Sequence, residues 1–307
     1  MISNTPIAIL MATYNGEHFL QEQIESILDQ SYTDWSLFIH DDGSSDGTNA
    51  IIDDYVVRYP EKIFRVYGAS CGCARDNFFF LMREVEADFY MFCDQDDVWM
   101  PEKVRKTYIS MQDIDCGSNP ALVFTELSVV DENRSMIAES MSDYQNLNCR
   151  DLSLNRLLIQ NAVTGCTMMV NRALRDMMLK YNHVENIKMH DWWAGIIAAA
   201  FGEILFIDEP TIWYRQHEDN SVGAQNDNSL NYQLDRVKNK ESMRYSLELT
   251  RLQARELVEA FALPSEHIIS QYANCMSMRK LQRLHFYFKN DILKTGIARL
   301  IGQIVLG

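Results

Sequence analysis

No stretch of this 307-residue chain is apolar for long enough to cross a membrane. The longest apolar run, near Ala194 to Phe201, falls far short of the roughly 18 residues that a spanning helix needs. The N-terminal segment lacks a basic stretch leading into an apolar one with a cleavage site, so nothing points to secretion. Metal-type cysteine spacing is missing as well. The seven cysteines form an odd set, and Cys71-Gly72-Cys73 has one intervening residue and no second pair. Reduced, mostly structural thiols in a cytoplasmic protein are the expectation. Positive charge is scarce: 28 Lys/Arg stand against 43 Asp/Glu, a formal net charge of −15. Such a balance argues against general nucleic-acid binding. The deficit is uneven, since Ser229 to the end holds twelve Lys/Arg against seven Asp/Glu. An acidic body therefore carries a basic tail. Internal repeats and low-complexity linkers are absent too.

What is present alternates strands with helices. Residues 7–12, Trp35–His40, Ile63–Val66 and Phe89–Cys93 read as buried strands, separated by helical stretches of about a dozen residues. Thr13-Tyr14-Asn15-Gly16 reads as a turn, with Asn15 placed to cap the next helix. This alternation implies right-handed βαβ units and a parallel sheet. Further on, a helix follows Pro101, and Ala121–Val130, Gly165–Val170, Ile204–Ile207 and Thr211–Tyr214 read as strands. A polar loop follows His217, and from about Leu230 the pattern is helical.

The chemistry concentrates at Asp94-Gln95-Asp96-Asp97, immediately after the apolar run Phe89–Cys93. Alternation along an extended strand end would point Asp94 and Asp96 the same way, about 7 Å apart. Carboxylates that close repel unless a cation lies between them. Oxygen ligands with few soft donors nearby suit Mg²⁺ or Mn²⁺. A solvated acidic loop is the plainer reading, but the carboxyl end of a sheet strand is where open α/β sheets bind ligands.

Asp42-x-Ser44-x-Asp46-Gly47 superficially fits a calcium loop, yet its twelfth position would be Asp53 and a strand precedes it. A turn between strand and helix is the better fit. His190-Asp191-Trp192-Trp193 sets a carboxylate at a helix start beside two aromatics. It reads either as a helix cap with aromatic packing or as a general base with a platform for a sugar ring.

Taken together, Ala12-Thr-Tyr-Asn-Gly16, Asp41-Asp-Gly-Ser-Ser-Asp-Gly-Thr48, Asp94-Gln-Asp-Asp97 and Asp191 resemble the family-2 inverting glycosyltransferases with the A-type nucleotide-sugar-binding fold. Asp94-Gln-Asp-Asp-Val-Trp99, Gly165-Cys166, His190-Asp-Trp-Trp193 and Tyr214-Arg-Gln-His217 look like the bacterial rhamnosyltransferase-type branch. The resemblance covers about residues 5–225. It implies a mostly parallel Rossmann-like sheet flanked by helices, with a nucleotide-binding half at 1–112, an acceptor half at 113–228 and a helical extension at 229–307. It also implies that Thr13, Tyr14 and Asn15 line the base and ribose pocket and that Asp42 reads the base. Gly72, Arg75 and Asn77 would approach the nucleotide, and Asp94 and Gln95 the donor. Asp96, with His217, would hold the divalent metal, Mg²⁺ or Mn²⁺. Asp191 would be the catalytic base, with Gly165, Trp192, Trp193 and Arg215 around the acceptor and diphosphate. His190 stands where the family often carries an acid.

The expected partners are a nucleotide-sugar donor, dTDP-rhamnose or a UDP-hexose, and a glycan or lipid-linked acceptor. A haloacid-dehalogenase-like phosphatase also fits Asp94-x-Asp96-x-Val98, although that loop normally follows the first strand rather than the fourth. A non-catalytic sugar-nucleotide-binding subunit is the third reading. In the tail, Leu281, Leu284, Phe288 and Ile292, then Ile297, Leu300, Ile301 and Ile304, fall on a helical face accompanied by Arg279, Lys280, Arg283, Lys289, Lys294 and Arg299. That suits a peripheral position at an anionic membrane surface, or packing on the domain or on a second copy in a homodimer.

Overall fold

The structure, a computed structural model, describes residues 5–217 and 240–307. The polar loop after His217, the boundary at 228 and the start of the tail near Leu230 lie outside the described residues. Strands β1 (Thr5–Thr13), β2 (Trp35–Asp41), β3 (Ile63–Arg65) and β4 (Ala87–Cys93) alternate with helices α1 (Leu20–Leu28), α2 (Thr48–Arg58) and α3 (Ala74–Glu84). These four strands pair in parallel, β1 at the centre of β2 and β4. Their near-continuous apolar runs are covered on both faces, as a parallel sheet requires. Thr13 lies opposite Asp41, and Met11 opposite Cys93, so the loops after β1, β2 and β4 emerge along one edge.

Beyond β4 the sheet changes sense. It continues through β8 (Met169–Asn171), β6 (Ala121–Val130), β9 (Glu203–Arg215) and β5 (Val98–Trp99), with β7 (Met136–Ala138) against β6. β8 is antiparallel to both neighbours, β6 and β9 are parallel, and β5 is antiparallel to β9. The parallel pattern thus holds for the first half of the chain. The expected strand at Gly165–Val170 is shorter: Gly165–Thr167 forms a 3₁₀ turn ahead of β8. The two expected strands at 204–207 and 211–214 are one, because at Pro210, which has no N–H to donate, the ladder with β6 slips rather than ends. Asn15 does not cap α1, which begins at Leu20 behind Phe19.

Alternate strand residues feed two cores, one on each sheet face. One core packs under α1, α2 and α4 (Lys103–Ile114). The other includes α3, α7 (Arg172–Met178) and α8 (His190–Phe201) and extends into the tail helices α9 (Lys240–Phe261), α10 (Ile268–Ala273) and α11 (Lys280–Lys289). Here α5 denotes Met141–Tyr144 and α6 Leu154–Leu157, two short helices between β7 and β8. Glu256 of α9 accepts from the His183 N–H at 3.0 Å and Gln253 accepts from the Lys188 N–H at 2.9 Å. The segment that delivers His190 and Asp191 is therefore bolted to the tail. Trp193 is fully buried and its indole N–H donates to the Met178 carbonyl at 2.9 Å. Trp193→Ala is expected to cost about 3–5 kcal/mol, read from the urea midpoint; a loss under about 1 kcal/mol would mean that this core is not continuous.

Candidate active site

The nucleotide-side loops are stitched to each other. The Tyr14 N–H donates to Gln95 Oε1 at 2.8 Å, and Gln95 Nε2 donates back to the Tyr14 carbonyl at 2.9 Å. A Cβ on Gly16 would stand 2.3 Å from that Gln95 oxygen, so the close approach needs glycine. Asn15 holds a positive φ of 48° and accepts from the Ser45 N–H at 2.9 Å. Thr13 donates to Asp41 Oδ1 at 3.1 Å, and Asp41 also accepts from the Ser44 N–H at 2.9 Å. Asp46 accepts from the Thr48 N–H at 3.0 Å at the start of α2. Asp41 and Asp46 thus organise the strand-to-helix turn, as the non-calcium reading expects.

Asp42 is different: its carboxylate accepts from Ser70 Oγ at 2.9 Å, from the Gly72 N–H at 3.0 Å and from the Cys71 N–H. It anchors the loop 70–72, in which Gly72 has φ +84°. Arg75 spans from this loop to the Ile187 carbonyl at 2.6 Å while pairing with Asp76 at 2.7 Å. Asn77 sits below the surface, 1% exposed, with its Oδ1 2.9 Å from His40 Nδ1. It braces the loop's floor and is not placed to touch a nucleotide.

β4 stops at Cys93, so strand alternation does not govern the acidic loop. Pairing of Val98 and Trp99 with β9 draws the loop across the edge, and its three carboxylates diverge. Asp96 Oδ2 lies 2.9 Å from His217 Nε2, the two side chains 14% and 8% exposed. Asp97 turns inward, fully buried, with Oδ1 accepting from the Arg215 N–H at 3.2 Å. Asp94, Asp97 and Cys166 bring ligand atoms within 4.8 Å of one another. Burial, then the charges of Asp96 and Asp191, hold the Asp94 carboxyl above the ordinary range, and burial with Asp96 and Asp94 does the same to Asp97. Burial also pushes the Cys166 thiol up, so it stays protonated and offers no thiolate. Asp96 and His217 offer a carboxylate oxygen and an imidazole nitrogen, donor types that a divalent cation accepts, while Asp94 groups with Asp97 and Cys166.

Asp191 comes to this cluster from the other side. The Gly165–Cys166 turn stands between them, Cys166 against Asp94 and Asp97, and Gly165 against His190 and Asp191. A Cβ on Gly165 would meet His190 Nε2 at 2.8 Å. Asp191 accepts from the Trp192 N–H at 2.6 Å. Burial raises its carboxyl to about 6, against the favourable approach of the Trp192 and Gly165 N–H groups, Asn161 and Lys188. A carboxyl there is poised to take a proton near neutrality.

Two expectations need correction. Trp192 and Trp193 offer no platform, because both indoles are buried and donate to the Leu157 and Met178 carbonyls. Arg215 is not free to meet a diphosphate. Only 2% exposed, its Nε donates to the Asp96 carbonyl at 2.9 Å and Nη1 to the Glu132 carbonyl at 2.7 Å, Nη2 pairs with Glu22, and the guanidinium lies 4.5 Å over the Phe19 ring. It clamps the acidic loop. Asn161, thirty positions before Asp191, and Lys103, on an ordinary amphipathic helix, carry no sequence signal that marks them. Lys103 is buried beneath the loop, donating to the Thr167 carbonyl at 3.3 Å, and burial lowers its ammonium to about 8.

Solved structures give the class of this architecture. S. aureus TarS 1–349 superimposes with a TM-score of 0.54 at 15% identity, over 93% of this chain and 88% of that one. The mannosyltransferase PcManGT from Pyrobaculum calidifontis, in complex with GDP-Man and Mn²⁺, does so at 0.51 and 14%, over 99% and 87%. The fold is the A-type glycosyltransferase fold. The profile of Glycosyl transferase family 2 matches residues 8–177, and the chain belongs to that family. It is 34% identical over 226 residues to the dTDP-rhamnosyl transferase RfbG of Shigella flexneri, 70% of this chain and 74% of the relative. It is 26% identical over 169 residues to the UDP-Glc:alpha-D-GlcNAc-diphosphoundecaprenol beta-1,3-glucosyltransferase WfgD of Escherichia coli, 55% of this chain and 61% of that one. The protein is thus a glycosyltransferase that draws on a nucleotide-sugar donor, and the phosphatase and non-catalytic readings fall away.

Replacing Arg215 by Ala should cost about 1.5–3 kcal/mol for each charged hydrogen bond left without its partner. Metal affinity should weaken with it, because Asp96 loses its brace; Mn²⁺ titration of the folded variant measures this, and unchanged affinity would refute the clamp.

Proposed function

We propose that this protein is a metal-dependent inverting glycosyltransferase moving rhamnose from dTDP-rhamnose onto a growing bacterial surface polysaccharide or lipid-linked glycan. It would work in the cytoplasm, at the inner face of the plasma membrane. In this reading residues 1–112 bind the nucleotide, 113–228 the acceptor, and 229–307 form a helical extension. The observation that carries the mechanism is the partly buried carboxylate of Asp191, set across the Gly165–Cys166 turn from the acidic loop, its carboxyl raised to about 6 by desolvation.

An acceptor hydroxyl has too high a pKa to ionise alone, and a carboxylate within hydrogen-bond reach takes its proton as it attacks. Asp191 fills that role, oriented by the Trp192 N–H at 2.6 Å and by Asn161. With one base and no covalent intermediate, in-line attack would invert the anomeric centre. Asp96, with His217, would hold Mg²⁺ or Mn²⁺, which when bound would supply Lewis-acid stabilisation to the departing diphosphate, and Asp94 would face the donor. Thr13, Tyr14, Asn15, Asp42 and the loop at Gly72 and Arg75 would receive base and ribose, with Gln95 setting the Tyr14 backbone. The name of the Shigella relative supports dTDP-rhamnose; that of the Escherichia coli relative, a UDP-hexose donor, is the second reading.

In a thermal-shift screen with Mn²⁺ or Mg²⁺, dTDP should stabilise the protein by about 2.7 kcal/mol at a hundredfold excess over Kd. A larger shift with UDP would move the donor to a UDP-hexose, and no shift with either would overturn the reading. Asp191→Asn should lower transfer by about 10²–10⁴-fold with donor binding retained; full turnover would refute Asp191 as base. Because the base is the ionised form, transfer should rise with pH through an acid limb at or below about pH 6 and then level off. A limb that persists in Asp191→Asn would belong to another group.

A further inference from the structure

The tail presents part of the face that its periodicity suggests. The start of α11 is tied to the end of α12 (Ile297–Leu306), with Lys280 Nζ donating to the Val305 carbonyl at 2.9 Å and Arg283 Nη2 to the Gly307 carbonyl at 2.7 Å. Ile292 is fully buried. Arg283 and Arg299 are buried too, and Arg299 donates to the Gln145 and Asn146 carbonyls at 3.0 and 3.2 Å. What remains outside is four of the residues that the periodicity named, joined by Val305. Leu281 is 81% exposed, Ile297 80%, Val305 55%, and Phe288 and Ile301 53% each. Ile297, Ile301 and Val305 recur every four residues along α12, and Leu281 and Phe288 are seven apart on α11, so each helix carries an apolar stripe. Arg279, Lys280 and Lys289 are exposed beside them. The nearby acid Asp291 is paired with Arg156 at 2.9 Å.

We infer that the outer face of this helix pair docks on an anionic lipid bilayer, lying in its interface. Apolar side chains with ammonium and guanidinium groups at their flanks match acyl chains below an anionic headgroup layer. Two copies face to face would instead set these same cations against each other. Among the described residues no helix is long and apolar enough to span, so the contact is peripheral.

The face also has a connection to the acceptor side. Asn155 Nδ2 donates to the Asn290 carbonyl and Arg156 Nη1 to the Leu293 carbonyl, both at 2.7 Å, and the Thr295 N–H donates to Gln160 Oε1 at 2.8 Å. A pocket lined by Leu147, Asp151, Arg156, Gln160, Asn161 and Leu293 lies at this junction. Asn161 is the residue that also supports Asp191. A bilayer under the helix pair therefore brings a lipid-linked acceptor to the side of the base. This last step rests on the proposed transfer reaction; the docking does not.

The test is flotation of the full chain with phosphatidylcholine vesicles, with and without phosphatidylglycerol. The wild type should float with the anionic vesicles only. Arg279→Gln and Lys289→Gln should each weaken partitioning by about fivefold, and Leu281→Ser with Ile297→Ser should abolish it, with an unchanged thermal melt. Equal flotation of the apolar double variant, or none by the wild type, would overturn the proposal. A dimer in sedimentation that the double variant dissociates, without vesicle binding, would assign the face to self-association. Transfer to a water-soluble acceptor should be the same in all variants; its absence from the wild type as well would count against the transferase reading and leave the flotation result standing.

Discussion

Four carboxylates, those of Asp94, Asp96, Asp97 and Asp191, crowd the carboxyl edge of the sheet, Asp97 fully buried and the others partly so, and much of the surrounding structure exists to tolerate them. Burial disfavours the charged forms of Asp94, Asp97 and Asp191, and neighbouring carboxylate charge disfavours those of Asp94 and Asp97 further. Lys103 opposes them from beneath, at the cost of its own hydration, its ammonium lowered to about 8 and set 4.7 Å over the Trp99 ring. Arg215 closes the other side without lending its charge to the cavity, since Glu22 already pairs with it. The pH consequence has a definite sign. A carboxyl raised in the folded state, such as Asp191 at about 6 against 3.8, favours folding while protonated, and that contribution is lost as pH rises between those values.

That edge is rigid because its loops hold one another rather than hanging separately. Gln95 locks the β4 loop to the β1 loop through two hydrogen bonds to Tyr14. Asp42 gathers the N–H groups of residues 71 and 72, and Arg75 carries the same loop across to Ile187, three residues before His190. From the far side α9 fixes residues 182–188. The Asp42 loop and the segment that leads into Asp191 thus share one framework, joined through the Arg75 guanidinium. Preorganisation of this kind is what lets a carboxylate hold its orientation without being reorganised as charge develops.

Much of this was legible in the sequence, for identifiable reasons. A run as apolar as Phe89–Cys93 that breaks into Asp-Gln-Asp-Asp fits few contexts other than the end of a buried strand, and the alternation before it sets the parallel half of the sheet. The directions of the carboxylates were not legible, because they depend on the two-residue strand β5 and its antiparallel partner more than a hundred positions away. Nor could α8 disclose which way Trp192 and Trp193 point. A helix apolar all round has no polar face to orient it. Periodicity located the tail helices and most of their exposed apolar stripe, Leu281, Phe288, Ile297 and Ile301. It could not tell that Arg283 and Arg299, which composition places outside, satisfy backbone carbonyls within.

His190 shows how a departure from the family pattern can be read physically. Its ring is buried against Phe78 and Phe92, at 4.3 and 5.1 Å between centroids, and neither nitrogen has a hydrogen-bond partner among the described residues. Burial lowers it to about 3, so it is neutral throughout the working pH range. An acid in the same place would add a fifth carboxylate to an already crowded centre and drive Asp191 further up, away from the ionised form that a base needs. A charged imidazolium would pull Asp191 down and weaken it as a proton acceptor. A neutral ring does neither. It fills the apolar volume beside Gly165, where a Cβ would meet Nε2 at 2.8 Å, and leaves the basicity of Asp191 to burial and to its own hydrogen bonds.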